Sequence, residues 1–109
     1  MADLTLRQAQ KMVDAWIKTH GGYWSPLSIL AQVNEEAGEV ARLVNYRHGE
    51  KPPKTGETVK TLDVELGDLL YAVICLANVE GIDLQQSFEA MMFKYTTRDK
   101  ERFEKQAKR

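Results

Sequence analysis

Cysteine is nearly absent from this chain. Cys75 is the only one, so no intramolecular disulfide framework is available, which fits a reducing compartment. An excess of positive charge is also missing. Fifteen basic side chains stand against sixteen acidic ones, for a formal net charge of −1, whereas a protein that binds nucleic acid polymers through bulk charge would be basic. The longest apolar run, Leu69 to Ala77, is about half of what a membrane span needs. Met1-Ala-Asp-Leu-Thr5 has no basic region followed by an apolar run, so no signal peptide is expected. Long β-branched alternation is lacking, so no sheet is expected. Internal repeats and low-complexity tracts are absent as well. The expectation is a soluble, cytoplasmic, single domain over residues 1–109 with a small core.

What the chain does contain is helical periodicity. Thr5-Leu-Arg-Gln8 reads as a capping box, and Leu6, Ala9, Met12, Val13, Trp16 and Ile17 follow at helical spacing until Gly21-Gly22. Ser25-Pro26 places an N-cap and a first-turn proline before a second helix. A hydrophilic loop with Gly49, Pro52, Pro53 and Gly56 separates it from a third. Residues from Leu62 to Val79 are apolar nearly all the way round, which predicts a helix buried on every side. A chain this short has few ways to surround such a helix, so at least a dimer sharing it is expected. Gly81 ends that helix, and Asp83 caps a fourth with Leu84, Phe88, Met91, Met92 and Tyr95 on its apolar face. The predicted architecture is all-α: a four-helix, bundle-like protomer with helices at about 5–20, 26–46, 61–79 and 83–103, assembling as a homodimer or a dimer of dimers.

Two carboxylate pairs stand inside this apolar sequence. Glu36 and Glu39 are three apart on the second helix, with Glu35 beside them; Glu65 and Asp68 are three apart on the third. Residues three apart share a helix face. On a helical wheel Glu36 falls between Ile29 and Leu43, at the flank of the apolar arc. Glu39 lies about 60° further round, and Glu35 about 40° beyond that. Glu65 and Asp68 both fall among apolar residues. Ionised carboxylates in such a place cost several kcal/mol unless cations or protons neutralise them. Oxygen-only ligands suit Mg²⁺, Mn²⁺ or Ca²⁺. Zinc is disfavoured because neither His20 nor His48 stands at ligand spacing from the pairs, and the Glu-x-x-His motifs of a ferritin-like di-iron site are absent. Exposed helical acids in surface ion pairs remain the simpler reading of any single Glu-x-x-Glu. Two pairs on consecutive helices bring the metal reading level with it.

The full pattern, Glu35-Glu36-x-x-Glu39, twenty-five intervening residues, then Glu65-x-x-Asp68, resembles that of the MazG-like nucleotide pyrophosphohydrolases of the all-α nucleoside triphosphate pyrophosphatase superfamily. Tyr23-Trp-Ser-Pro-Leu27, Gly67-Asp-Leu-Leu-Tyr71, Leu76-Ala-Asn78, Gly81-Ile-Asp-Leu84 and Lys94-Tyr-Thr-Thr-Arg-Asp99 look like its small single-domain, YpjD-type branch. The resemblance covers nearly the whole chain. It implies hydrolysis of a nucleoside or deoxynucleoside triphosphate between the α and β phosphates. It also implies Mg²⁺, with Mn²⁺ as a substitute, on Glu36, Glu39, Glu65 and Asp68. Glu35 and Glu36 are then the catalytic acids, Glu35 orienting a metal-bound water or acting as general base.

Lys94 and Arg98, four apart, would jointly hold the leaving pyrophosphate or form a solvated basic face. Asn78 would bond the sugar or base, or cap the end of its helix. Trp24 and Tyr23 would stack on a base or pack in a core or interface, and Tyr71 is expected to pack. Asp99 reads as an ion-pair partner, Cys75 and Met91-Met92 as core filling, and His48 as a loop residue. Enzymes of the same superfamily that act on phosphoribosyl-ATP or dUTP, and a non-catalytic helical interaction module, are the competing readings.

Overall fold

The computed structural model describes residues 2–107. They form five helices: α1 (Leu6–Lys18), α2 (Pro26–His48), α3 (Leu62–Val79), α4 (Leu84–Thr97) and α5 (Lys100–Ala107). The local signals for their starts operate as expected. The Thr5 hydroxyl accepts from Gln8 N–H while the Gln8 side chain accepts from Thr5 N–H, closing the capping box. Ser25 caps α2 with Pro26 in its first turn. Asp83 caps α4 by accepting from the N–H groups of Gln85 and Gln86. Gly81, at φ 71°, ends α3 in a left-handed turn that lets Ile82 N–H reach back to the Ala77 carbonyl at 2.8 Å.

The expected last helix, 83–103, is two helices. The Arg98 and Asp99 N–H groups both turn back to the Lys94 carbonyl. Just before them, the Thr96 and Thr97 hydroxyls donate to carbonyls of the preceding turn. These local bonds compete with the regular ladder, and the chain restarts as α5 at Lys100.

The main packing seam lies between α2 and α3, and α1 lies against α3. Ile17, Ile29 and Cys75 are buried together, with Val13, Tyr23, Tyr71, Leu76 and Val79 packed around them. Further along the seam, Leu43, Ala72, Ile74 and Ala77 are buried. On α2 the buried line runs through Ile29 and Leu43, fourteen residues apart, and Glu36 lies midway between them. Glu36 therefore sits on the packing line itself rather than at its flank.

Two expectations about burial do not hold within a single chain. The third helix is not surrounded: Val64, Leu66 and Leu70 on α3 are exposed. Met91 and Met92 are not core filling but exposed, together with Phe88 and Phe93, because α4 packs mainly on α1. The protomer is correspondingly open. Its radius of gyration is 17.6 Å, against about 13 Å for a compact domain of this length. Among the described residues no helix is long and apolar enough to cross a membrane.

Candidate metal centre

The α2–α3 seam brings three acids together. One carboxylate oxygen from each of Glu36, Glu65 and Asp68 lies within 4.8 Å of the other two. Helix periodicity delivers them: Glu36 lies on the buried line of α2, while Glu65 and Asp68 stand seven residues before the buried Ala72 and Cys75 of α3. Glu65 is the deepest, with 3 % of its surface exposed, and its Oε2 is buried with no hydrogen-bond partner. An orphaned carboxylate oxygen at that depth costs several kcal/mol if nothing neutralises it. Burial, followed by the charges of Asp68 and Glu65, pushes the Glu36 carboxyl pKa up from its ordinary value. The donor set is all oxygen and hard, and one of its members carries the buried orphan. These residues fit a divalent cation such as Mg²⁺ or Mn²⁺.

The other predicted site residues are placed differently. Glu39 is half-buried and bound to Arg42 at 2.6 Å, outside the three-acid group. Arg42 in turn reaches Glu57 at 3.8 Å and lies over the Tyr46 ring. Glu35 is exposed beside Glu36. Lys94 Nζ lies 5.8 Å from the centroid of the Tyr95 ring, and Arg98 Nε lies 3.8 Å from Asp99, the ion pair expected of Asp99. Among the described residues neither base is joined to the three acids by a hydrogen bond or ion pair.

Asn78 is occupied by the protein itself. Its Nδ2 donates to the Gln10 carbonyl and to the Tyr23 hydroxyl, both at 3.0 Å, and its Oδ1 accepts from Gln10 Nε2 at 3.0 Å. Gln10 Nε2 also donates to the Ile82 carbonyl, Gln10 Oε1 accepts from Leu84 N–H, and the Tyr23 hydroxyl donates to Asp14 at 2.6 Å. Burial and the Asp14 carboxylate push the Tyr23 pKa up to about 12. This network ties α1, α3 and the start of α4 together. The sequence offered one signal for it, an amide on the otherwise apolar third helix.

Trp24 is 64 % exposed, so it packs in no core of this chain. It stands at a cavity of about 290 Å³ whose walls include Trp16, His20, Tyr23, Gln32 and Tyr71. Trp16 and His20 stack there with ring centroids 4.3 Å apart. Gln32 is one turn from Glu36 on α2, and Tyr71 is one turn from Asp68 on α3. The aromatic cavity and the acids thus adjoin along one seam. Sequence reasoning reached Tyr23 and Trp24 but missed Trp16, His20 and Gln32. The four-residue step from Trp16 to His20 was the available signal.

Residues 24–103 match the MazG nucleotide pyrophosphohydrolase domain. The chain is 44 % identical over 104 residues to YpjD of Bacillus subtilis (strain 168), an uncharacterised protein, covering 94 % of each. It is similar in structure to crystalline Bacillus subtilis YpjD, with a TM-score of 0.78 and 42 % identity over 90 % of this chain and 99 % of that one. A crystal structure of the Bacillus-conserved MazG protein, a nucleotide pyrophosphohydrolase, aligns with a TM-score of 0.75 and 41 % identity over 93 % of this chain and 99 % of the other.

Proposed function

The chain belongs to the MazG nucleotide pyrophosphohydrolase family, and from that premise we propose that it hydrolyses nucleoside or deoxynucleoside triphosphates between the α and β phosphates. The products are the nucleoside monophosphate and pyrophosphate. The observation that carries this reading is the convergence of Glu36, Glu65 and Asp68 with Glu65 Oε2 buried and unpartnered. Three acids that share a single ammonium, Lys60, have a use for a divalent cation that a charge-balanced surface ion pair would not.

Glu36, Glu65 and Asp68 would hold Mg²⁺, with Mn²⁺ as a substitute and Glu39 one turn away on α2 as a further ligand. A cation bound there would cancel phosphate charge and lower the pKa of a coordinated water. Glu35, exposed beside Glu36, is the candidate to orient the attacking water or take its proton. The adjoining aromatic cavity supports base binding, with Trp24 and Trp16 offering ring faces for stacking. Asn78 would act there indirectly, by holding Tyr23 in the cavity wall.

Lys94 and Arg98 remain candidates for the leaving pyrophosphate. Because α4 lies mainly on α1, that role rests on assembly with another copy. The exposed apolar faces of α3 and α4 support a homodimer or dimer of dimers. Clearing of a surplus or modified nucleotide in the cytoplasm suits the activity.

Incubating the protein with a panel of triphosphates and Mg²⁺, and resolving the products by mass spectrometry, tests the reading. Monophosphate and pyrophosphate should appear together. Release of single phosphate, or no turnover of any triphosphate, overturns it.

A further inference from the structure

Lys60 precedes the α3 N-cap Thr61, in the connection that carries no helix of its own. Its Nζ lies 3.6 Å from Asp68 Oδ2 and 3.9 Å from Glu65 Oε1. Among the described residues it is the only basic side chain ion-paired with the three-acid group, since Arg42 is occupied by Glu39 and Glu57. The Lys60 side chain is 63 % exposed and sits on irregular backbone, so nothing but the two carboxylates holds its tip.

The charges are unbalanced as they stand. Three ionised carboxylates and one ammonium leave a formal charge of −2, so Lys60 by itself does not neutralise the group. A cation bound to Glu65 and Asp68 would share those two carboxylates with Lys60 Nζ. Like charges that close repel, and of the two the ammonium is held by a flexible four-carbon stem with full access to water. It is therefore the partner that leaves. Once off the acids it remains at the mouth of the site as a strongly hydrated point charge, of the kind that binds phosphate.

We propose that Lys60 is the counter-ion that a divalent cation displaces from Glu65 and Asp68, and that the released ammonium then binds a phosphate of the nucleotide. The second half rests on the proposed pyrophosphohydrolase activity; the first does not. The two halves separate experimentally.

Calorimetric titration of Mn²⁺ into nucleotide-free protein addresses the displacement. Lys60→Ala should bind Mn²⁺ about two- to fivefold more tightly than wild type, as loss of a partly solvated competing ion pair allows. Lys60→Arg, which keeps the charge, should return toward the wild-type affinity. Equal or weaker Mn²⁺ binding by Lys60→Ala overturns the displacement.

The phosphate contact is read at saturating Mg²⁺. The probe is the α,β-methylene analogue of the best-hydrolysed triphosphate, or inorganic tripolyphosphate if the wild type hydrolyses none. Lys60→Ala should bind it about tenfold more weakly, the size of one charge-assisted contact, with Lys60→Arg restoring most of the loss. Unchanged affinity overturns the phosphate role. A wild type that binds Mn²⁺ but turns over no triphosphate counts against the enzymatic reading, and the Mn²⁺ comparison still decides the displacement.

Discussion

Glu36 on α2 and Glu65 on α3 bring carboxylate oxygens within 4.8 Å of each other across the seam where the two helices pack. Burial first, then the neighbouring acids, raise the Glu36 pKa in the fold. In strong acid Glu36 is protonated in both folded and unfolded chains. As pH rises, the unfolded chain releases this proton first, and the stability that protonation gave the fold is lost through the raised folded pKa. In chelator, the melting temperature of Glu36→Gln relative to wild type should therefore climb from acid toward neutral pH, and Mg²⁺ should erase the gain. Asp14 and Asp83 have pKa values lowered chiefly by hydrogen bonds from Lys18 and Arg7. They act in the opposite sense but equally in both proteins. A melting difference that does not vary with pH would remove Glu36 from the acid cluster.

Glu65→Gln and Asp68→Asn should each lower kcat/KM by more than about 100-fold, because both remove a charge from the centre that holds the cation. Glu39→Gln should cost less, since the Glu39 carboxylate is engaged by Arg42 rather than by the cluster. Glu65→Gln should also melt higher than wild type in chelator, because it removes a buried charge whose Oε2 has no hydrogen-bond partner and whose ion pair with the largely solvated Lys60 is long, at 3.9 Å. Steady-state kinetics and melts on the same preparations check both. Equal losses for Glu39→Gln and Glu65→Gln would contradict the graded placement.

Asn78→Ala would remove three enclosed hydrogen bonds, two to Gln10 and one to the Tyr23 hydroxyl, while Gln10 keeps Ile82 and Leu84 and Tyr23 keeps Asp14. It should destabilise the chain by about 2–4 kcal/mol, the net worth of three lost hydrogen bonds at about 1 kcal/mol each. Urea denaturation measures this directly. Activity of the folded fraction should persist if Asn78 acts only through Tyr23, and a selective rise in KM without loss of stability would mean direct contact with substrate.

Light scattering should give the wild type a mass of at least twice 12.4 kDa. Leu70→Glu and Phe88→Glu place charge on exposed apolar faces of α3 and α4 and should shift the mass toward the monomer. A monomeric wild type at micromolar concentration would leave those faces without the expected second copy.

The sequence by itself determined the helix starts, the loop between the second and third helices, and the register of each acid pair on its own helix. All of these depend on residues within a turn or two of one another: the Thr5 box, Ser25 with Pro26, Asp83, and the three-residue step from Glu65 to Asp68. The break at Arg98 is equally local, but its signal, two threonine hydroxyls competing for helix carbonyls, is weak beside the surrounding helical pattern. Tertiary structure decided which faces meet. It gathered Glu36, Glu65 and Asp68, left Glu39 on Arg42, enclosed Asn78 in a network with Gln10 and Tyr23, and set Trp16 and His20 beside Trp24. Periodicity gives the direction of a side chain around its own helix, but not the distance to a neighbouring helix or what that neighbour presents. The α2–α3 packing supplied both, and it turned two acid pairs, each plausible as surface charge, into one partly buried cluster facing Lys60.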